Sequence, residues 1–268
     1  MKRTEFRFFD RLRVRWAEID AQKIVFNAHY LMYFDTAIAG YWRALALPYA
    51  QTMESLGGDL YVRKATVEYH GSARYDDRLD IGMRCARIGN SSIQFVCAIF
   101  RGDQLLITGE LIYVFADPRT QTSRPVPPVL RGILDDFEAG RPVVELLQGE
   151  WAALGADAAR VRTEVFIEEQ AIPKEMEWDE ADATALHAIV RNRLGQPLAT
   201  GDFPGDENNQ RGFPFSDIGV PKDDGRNLVL RARAEGHRLR GQVYADVAPR
   251  VEEATEHVRD AAAKIHNP

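Results

Sequence analysis

The first half of this chain predicts an α+β fold in which one helix is wrapped by an antiparallel sheet. Two patterns carry that prediction. From Ala28 the positions Tyr30, Leu31, Phe34, Ile38, Tyr41, Trp42 and Leu45 recur at the spacing of one broad helical face. Behind them come segments of alternating polarity separated by turn signals, and about five such strands with one helix make a complete layered domain. A third observation concerns the rest of the chain, where a new helical pattern and shorter strands begin. The expected organisation is a first domain over residues 1–138, a linker over 139–147 and a second domain over 148–268.

Taken in order, residues 6–16 alternate well enough for a strand, with Val14 and Trp16 set against Arg13 and Arg15. The extended chain is expected to run on to Asp20. A short turn leads into the helix, which begins near Asn27 and is ended by Pro48. A second short helix over 49–56 closes at Gly57-Gly58. Strands are expected over 60–69, 79–88, 92–101 and 105–115, the middle pair joined by the tight-turn signal Gly89-Asn90 and the last entered through Gly102-Asp103. A proline-rich exit and a short amphipathic helix over 129–137 complete the domain.

In the second half, residues 151–170 have helical spacing through Trp151, Leu154, Ala158, Val161, Val165 and Phe166, with a break expected at Gly155 and a stop before Pro173. Residues 185–193 alternate as a strand, and 198–201 read as its hairpin partner. From 202 to 226 the composition turns to Gly, Pro, Asp and Asn, the texture of a loop. Strands are expected over 227–233 and 242–247. A helix is expected over 251–265, with Val251, Ala254, Val258, Ala261 and Ile265 on one face and Lys264 near its end.

Hydrophobic content of 45% and charged content of 28% are those of a soluble globular protein. A net charge of −6 argues against nucleic acid or an anionic membrane as the main partner. No apolar run approaches the roughly 20 residues of a membrane helix. The basic N-terminus has no apolar stretch behind it, so a cytoplasmic location is expected. Cys85 and Cys97 lie inside expected strands without metal-ligand spacing, which reads as two core residues in a reducing compartment and no metal site.

The chemistry is sought between the first strand and the helix. Asp20 stands just before a helix N-terminus, where free N–H groups and the helix dipole hold a developing negative charge. A carboxylate beside such donors is suited to hydrolysis of an activated acyl group. The run Asp20-Ala-Gln-Lys-Ile-Val-Phe-Asn-Ala-His-Tyr30, with Tyr33-Phe-Asp-Thr-Ala37, Val67-Glu-Tyr69 and Ala73-Arg-Tyr-Asp-Asp-Arg-Leu-Asp-Ile81, resembles the hotdog-fold acyl-CoA thioesterases of the 4-hydroxybenzoyl-CoA thioesterase type. The resemblance spans residues 6–137. It implies a hotdog domain acting on an acyl-CoA substrate with no cofactor. It also implies a homodimer or a dimer-of-dimers tetramer with active sites between protomers.

The resemblance places the catalytic aspartate at Asp20, as nucleophile or as general base on water, and the oxyanion donors at the backbone N–H groups of Asn27 and Ala28. Tyr30 falls on the family's helix tyrosine, a candidate for substrate contact. The family's glycine before the apolar pair is replaced by Gln22-Lys23. Lys23 reads either as a CoA-phosphate or Asp20 contact or as a solvent-facing lysine. Arg63 and Lys64 read either as CoA-phosphate ligands or as ordinary strand-edge charges. Glu18 reads as a second acid on the face of Asp20 or as a structural or solvated residue. His29 is the one histidine near the site. Asp35 matches a frequent family acid whose role is chemistry, helix capping or a dimer contact.

Beyond the linker, Val161-Arg-Thr-Glu-Val-Phe-Ile-Glu-Glu-Gln-Ala-Ile-Pro173 and the strands that follow resemble the opening of a GNAT acetyltransferase domain, with Asp217-Ile-Gly-Val220 at the start of its central strand. That family's Gly-rich pyrophosphate loop has no counterpart. Pro221-Lys-Asp-Asp-Gly-Arg226 stands where loop and helix belong and is too short for both. The expectation is a shortened α/β module with an oligomerisation or lid role and no acetyl transfer. A bifunctional thioesterase–acetyltransferase and a non-catalytic CoA-binding scaffold remain as alternatives.

Overall fold

The computed structural model describes residues 1–178, 180–203, 218–220, 228–235 and 238–242. The chain divides at Val143/Val144 into two compact units.

Among the described residues, the first unit is a five-stranded antiparallel sheet with a long helix on its inner face. The strands are β1 (Phe8–Arg13), β2 (Asp59–Tyr69), β3 (Arg78–Ile88), β4 (Ser92–Arg101) and β5 (Gln104–Ala116), in the spatial order β1-β3-β4-β5-β2. The helices are α1 (Asn27–Ala44), α2 (Tyr49–Leu56) and α3 (Pro128–Glu138). Pro48 separates α1 from α2, and Gly57 closes α2 in the left-handed conformation at φ 65°. Consecutive strands β3, β4 and β5 are hairpins, whereas β2 crosses to the far edge beside β5.

The buried face of α1 is Tyr30, Tyr33, Phe34, Ala37, Gly40, Tyr41 and Trp42, while Leu31 of the expected face is 40% exposed. Helix and sheet approach closely because β5 carries Gly109 under the Phe34 ring. A Cβ at 109 would overlap that ring. Tyr41 anchors the centre, edge-on to Phe8, Phe95 and Phe137. Cys97 is buried and Cys85 half-buried, both as free thiols, and burial pushes the Cys85 thiol up to about 12.

The first strand is shorter than its alternation suggests. It ends at Arg13, and Trp16–Glu18 forms a 3-10 turn that removes Trp16 from any strand face and leaves it 75% exposed.

The second unit has the described strands β6 (Val144–Glu150), β7 (Leu186–Asn192), β8 (Pro197–Phe203), β9 (Ile218–Val220), β10 (Leu228–Glu235) and β11 (Arg238–Gln242), each antiparallel to its neighbour. Helix α4 (Trp151–Arg162) packs on this sheet through Leu154, Ala158 and Ile189 and continues into a π-helical stretch, Thr163–Glu169, before the short α5 (Lys174–Glu177). Two expectations need correction here. The second half of the expected linker is strand β6, paired to β7 along its length. Gly155 does not break the helix, which runs continuously over Trp151–Arg162, and the Trp151 ring lies over it at a distance that leaves no room for a side chain. The expected strand over 242–247, the helix over 251–265 and the segment Pro221-Lys-Asp-Asp-Gly-Arg226 lie mostly or wholly outside the described residues.

Candidate active site

Residues 19–25 fold back on themselves as a miniature hairpin. Ile19 and Val25 form an antiparallel bridge, the Asp20 N–H donates to the Ile24 carbonyl at 2.9 Å, and the Lys23 N–H donates to the Asp20 carbonyl at 2.9 Å. This is a three-residue loop whose last position must adopt the left-handed region, a place ordinarily given to glycine. Lys23 takes it, with φ 61°. Lys23 therefore leaves the turn intact while placing an L side chain in a conformation that costs about 1–2 kcal/mol. The Lys23 side chain is exposed and has no ion-pair partner among the described residues.

The turn holds the Asp20 carboxylate at the mouth of the loop. Its Oδ1 accepts the Gln22 N–H at 2.8 Å and, more weakly, the Ile24 N–H at 3.4 Å, and its Oδ2 has no hydrogen-bond partner among the described residues. The chain then enters α1 through Phe26, which occupies the N-cap with no capping side chain. A Ser, Thr, Asp or Asn there would satisfy the first N–H groups of the helix. With Phe26 instead, the N–H groups of Asn27 and Ala28 have no acceptor among the described residues and sit at the positive end of the helix dipole.

What fixes carboxylate and helix together is Glu18. Its side chain is 4% exposed and accepts four donors: the Arg15 N–H at 2.7 Å, Arg15 Nε at 2.8 Å, Arg15 Nη2 at 2.6 Å and the Tyr33 hydroxyl at 2.7 Å. Its carbonyl accepts the Phe26 N–H at 2.9 Å. Burial opposes the charge. The Arg15 N–H, the Tyr33 hydroxyl and the Arg15 guanidinium together outweigh it and hold the carboxyl below its usual range. Glu18 is thus not solvated but a buried structural residue at the end of the 3-10 turn. This clamp was open to sequence reading only at Glu18. Nothing in the helical pattern distinguishes Tyr33 from a core residue.

The other expected site residues are distributed unevenly. Tyr30 is buried, with its hydroxyl accepting the Ala73 N–H at 2.9 Å, so it braces the site from beneath and offers no free face to a ligand. His29 lies edge-on to Phe26 at 6.0 Å, and Asp35 is exposed on α1 without capping it. Arg63 and Lys64 are not brought to Asp20 within the protomer. They sit mid-way along β2, Arg63 at a bulge and Lys64 paired with Glu110 at 3.3 Å. Tyr69, whose hydroxyl reaches the Asn27 carbonyl at 3.4 Å, is roughly 17–20 Å further along the strand. Among the described residues no cluster of His, Cys, Asp or Glu is arranged to hold a metal ion, and no helix is long and apolar enough to cross a membrane.

Residues 14–134 match the sequence profile of the Thioesterase-like superfamily. The chain is 29% identical over 128 residues to the acyl-CoA thioester hydrolase YbgC of Escherichia coli, covering 47% of this chain and 92% of that protein. It is 29% identical over 96 residues to a putative esterase of Aquifex aeolicus, covering 36% of this chain and 74% of the relative. Among solved structures, a 1,4-dihydroxy-2-naphthoyl-CoA thioesterase from Synechocystis aligns at 19% identity with a TM-score of 0.45, over 49% of this chain and 97% of that one. Residues 14–134 thus carry the sequence signature of a thioesterase-like domain, and the antiparallel sheet with its long helix is consistent with a hotdog fold.

Proposed function

We propose that this hydrolase domain cleaves an acyl-CoA thioester to the free acid and CoA, with Asp20 as the reacting carboxylate and the N–H groups of Asn27 and Ala28 as oxyanion donors. One observation carries the reading: a carboxylate with a free oxygen is held in a rigid turn immediately before an uncapped helix N-terminus. A thioester is already activated, so a single carboxylate and two oriented donors suffice for its hydrolysis. Asp20 either attacks the carbonyl and expels the CoA thiolate, leaving an anhydride that water opens, or takes a proton from the attacking water. Label in Asp20 after single-turnover hydrolysis in heavy-oxygen water would establish the first, since general-base attack by water never labels the carboxylate. Asp20→Asn, tested against acyl-CoA substrates of graded chain length, is expected to lower kcat/KM by at least about 10³, the order lost with a key catalytic group. Near-full activity would reject the assignment.

The site is proposed to be completed by a second copy of the chain. Strand β2 is a sheet edge of 11 residues with Tyr61, Val62, Arg63, Lys64, Ala65 and Thr66 all exposed, a long edge that a lone protomer leaves open. Pairing through it would also carry Arg63 and Lys64 across the interface. Light scattering is expected to give a dimer or a tetramer, and a monomer at micromolar concentration would refute the proposal.

For the second unit we propose a shortened GNAT-like module without acetyl transfer. The support is its order of strand, helix and antiparallel strand pair, β6-α4-β7-β8, taken with a sequence that lacks the pyrophosphate loop. Acetyl-CoA titrated into the Asp20→Asn protein tests it, one site per chain being expected; a second site would favour a bifunctional enzyme.

A further inference from the structure

The loop after β2 returns to the site by a series of backbone bonds. Val25 N–H donates to the Ala73 carbonyl, Ala73 N–H to the Tyr30 hydroxyl, Asp76 N–H to the Val14 carbonyl and Val14 N–H to the Asp77 carbonyl, all at 2.9–3.1 Å. Residues 73–77 are thereby stitched both to the turn that carries Asp20 and to the end of β1. On this stitched corner stand two large aromatic side chains that the domain does not bury. Trp16 is 75% exposed and Tyr75 53% exposed, their rings edge to face at 5.4 Å.

The charges beside them are as unusual. Arg13 and Arg78 are direct cross-strand partners on β1 and β3, and like charges directly opposite are destabilising. Arg13 is neutralised by Asp76 at 2.7 Å. Arg78 and Arg74 are exposed and have no acidic partner among the described residues, although the whole chain carries a net charge of −6. An exposed aromatic ring braced edge-on by a second, beside unpaired guanidinium groups, is suited to a base with attached phosphates.

We infer that Trp16, Tyr75, Arg74 and Arg78 form a nucleotide subsite that binds the adenine ring and phosphates at the far end of CoA. One ring of the Trp16–Tyr75 pair stacks the base while the other meets its edge; Arg74 and Arg78 meet the phosphates. The identification of the nucleotide as CoA's rests on the thioester-hydrolase reading; the nucleotide site itself does not. The subsite supplies the anion contacts that Arg63 and Lys64 do not supply within the protomer. A second copy of the chain is a poorer occupant, because a two-fold contact through this corner sets the same unpaired arginines against themselves.

The test uses the full-length protein and adenosine 3′,5′-bisphosphate, the nucleotide end of CoA without its thiol arm. Saturable binding is expected by calorimetry, about tenfold weaker for Trp16→Ala, partly restored in Trp16→Phe, and less salt-sensitive for Arg78→Ala. In turnover, Trp16→Ala is expected to raise KM for an acyl-CoA about tenfold with kcat held. KM for the N-acetylcysteamine thioester of the same acid, which lacks the nucleotide, should be unmoved. No bisphosphate binding by the wild type, or equal losses on both thioesters, overturns the subsite. Bisphosphate binding that depends on Trp16 in a protein that hydrolyses neither thioester would leave the subsite standing and overturn the hydrolase reading instead.

Discussion

Glu18 offers the sharpest test of how the site is held together. In Glu18→Ala the Tyr33 hydroxyl, on a residue 2% exposed, and the Arg15 N–H both lose their acceptor. The buried Tyr33 hydroxyl left unpaired costs about 1–3 kcal/mol, and the Arg15 N–H, on an exposed residue that water can reach, adds less. The ion pair adds little to that sum, since the Arg15 side chain is 73% exposed and its charge is screened by water. Glu18→Gln keeps one acceptor oxygen and is expected to lose about half as much. The depressed carboxyl also sets a sign. Its stabilisation is fully present above the ordinary value near 4.5 and is lost as pH falls through the lower folded value, so the gap between wild type and Glu18→Gln should close in acid. Thermal melts across pH and amide hydrogen exchange over residues 14–34 measure both effects. An Ala variant within about 0.5 kcal/mol of wild type would refute the clamp.

Two further perturbations follow from neighbouring features. Lys23→Gly relieves a left-handed lysine, and after subtracting glycine's own entropic cost it should stabilise the domain by about 0.5–1 kcal/mol, read as a rise in Tm with the Asp20 turn unchanged. Glu138 gives the opposite pH dependence to Glu18. Burial raises its carboxyl despite the Tyr41 hydroxyl and the Cys85 N–H that bind it, so its stabilisation is present at low pH and is lost as pH rises through the raised value. Glu138→Gln should therefore gain on wild type in Tm as pH rises above the ordinary carboxyl value near 4.5, and a constant difference would contradict the assignment.

Much of the first unit was legible because its elements are written in local pattern. The helical spacing of 28–45, Pro48, Gly57 and the turn at Gly89-Asn90 each state a boundary that chain stiffness or φ enforces, and the strands β2 to β5 fall within a residue or two of their alternation. The end of β1 was not legible. Val14 and Trp16 keep the two-residue period of a strand, but Val14 turns inward to be bonded by Asp76 and Asp77, partners more than sixty residues away, and the chain coils at Trp16. The second unit was read less well for a related reason. Gly155 weakens a helix by propensity alone, but the close approach of the Trp151 ring, which only a residue without Cβ admits, is invisible in the spacing.

The candidate site shows the same division between local and long-range information, with a consequence for the chemistry. Asp20 and the first turn of α1 are adjacent in sequence, so their conjunction is visible without a structure. Their rigidity is not, because it depends on contacts made at a distance by Tyr33 with Glu18, by Ala73 with Val25 and Tyr30, and by Val14 with residues 76 and 77. Oriented donors contribute to catalysis in proportion to how little they must reorganise. A variant that loosens one of these ties while leaving Asp20 and both N–H groups in place should therefore lower kcat more than it raises KM. Loss of the Trp16 ring should do the reverse, since that ring touches the part of the substrate that does not react. The two kinds of variant thus separate what holds the reacting groups from what holds the ligand.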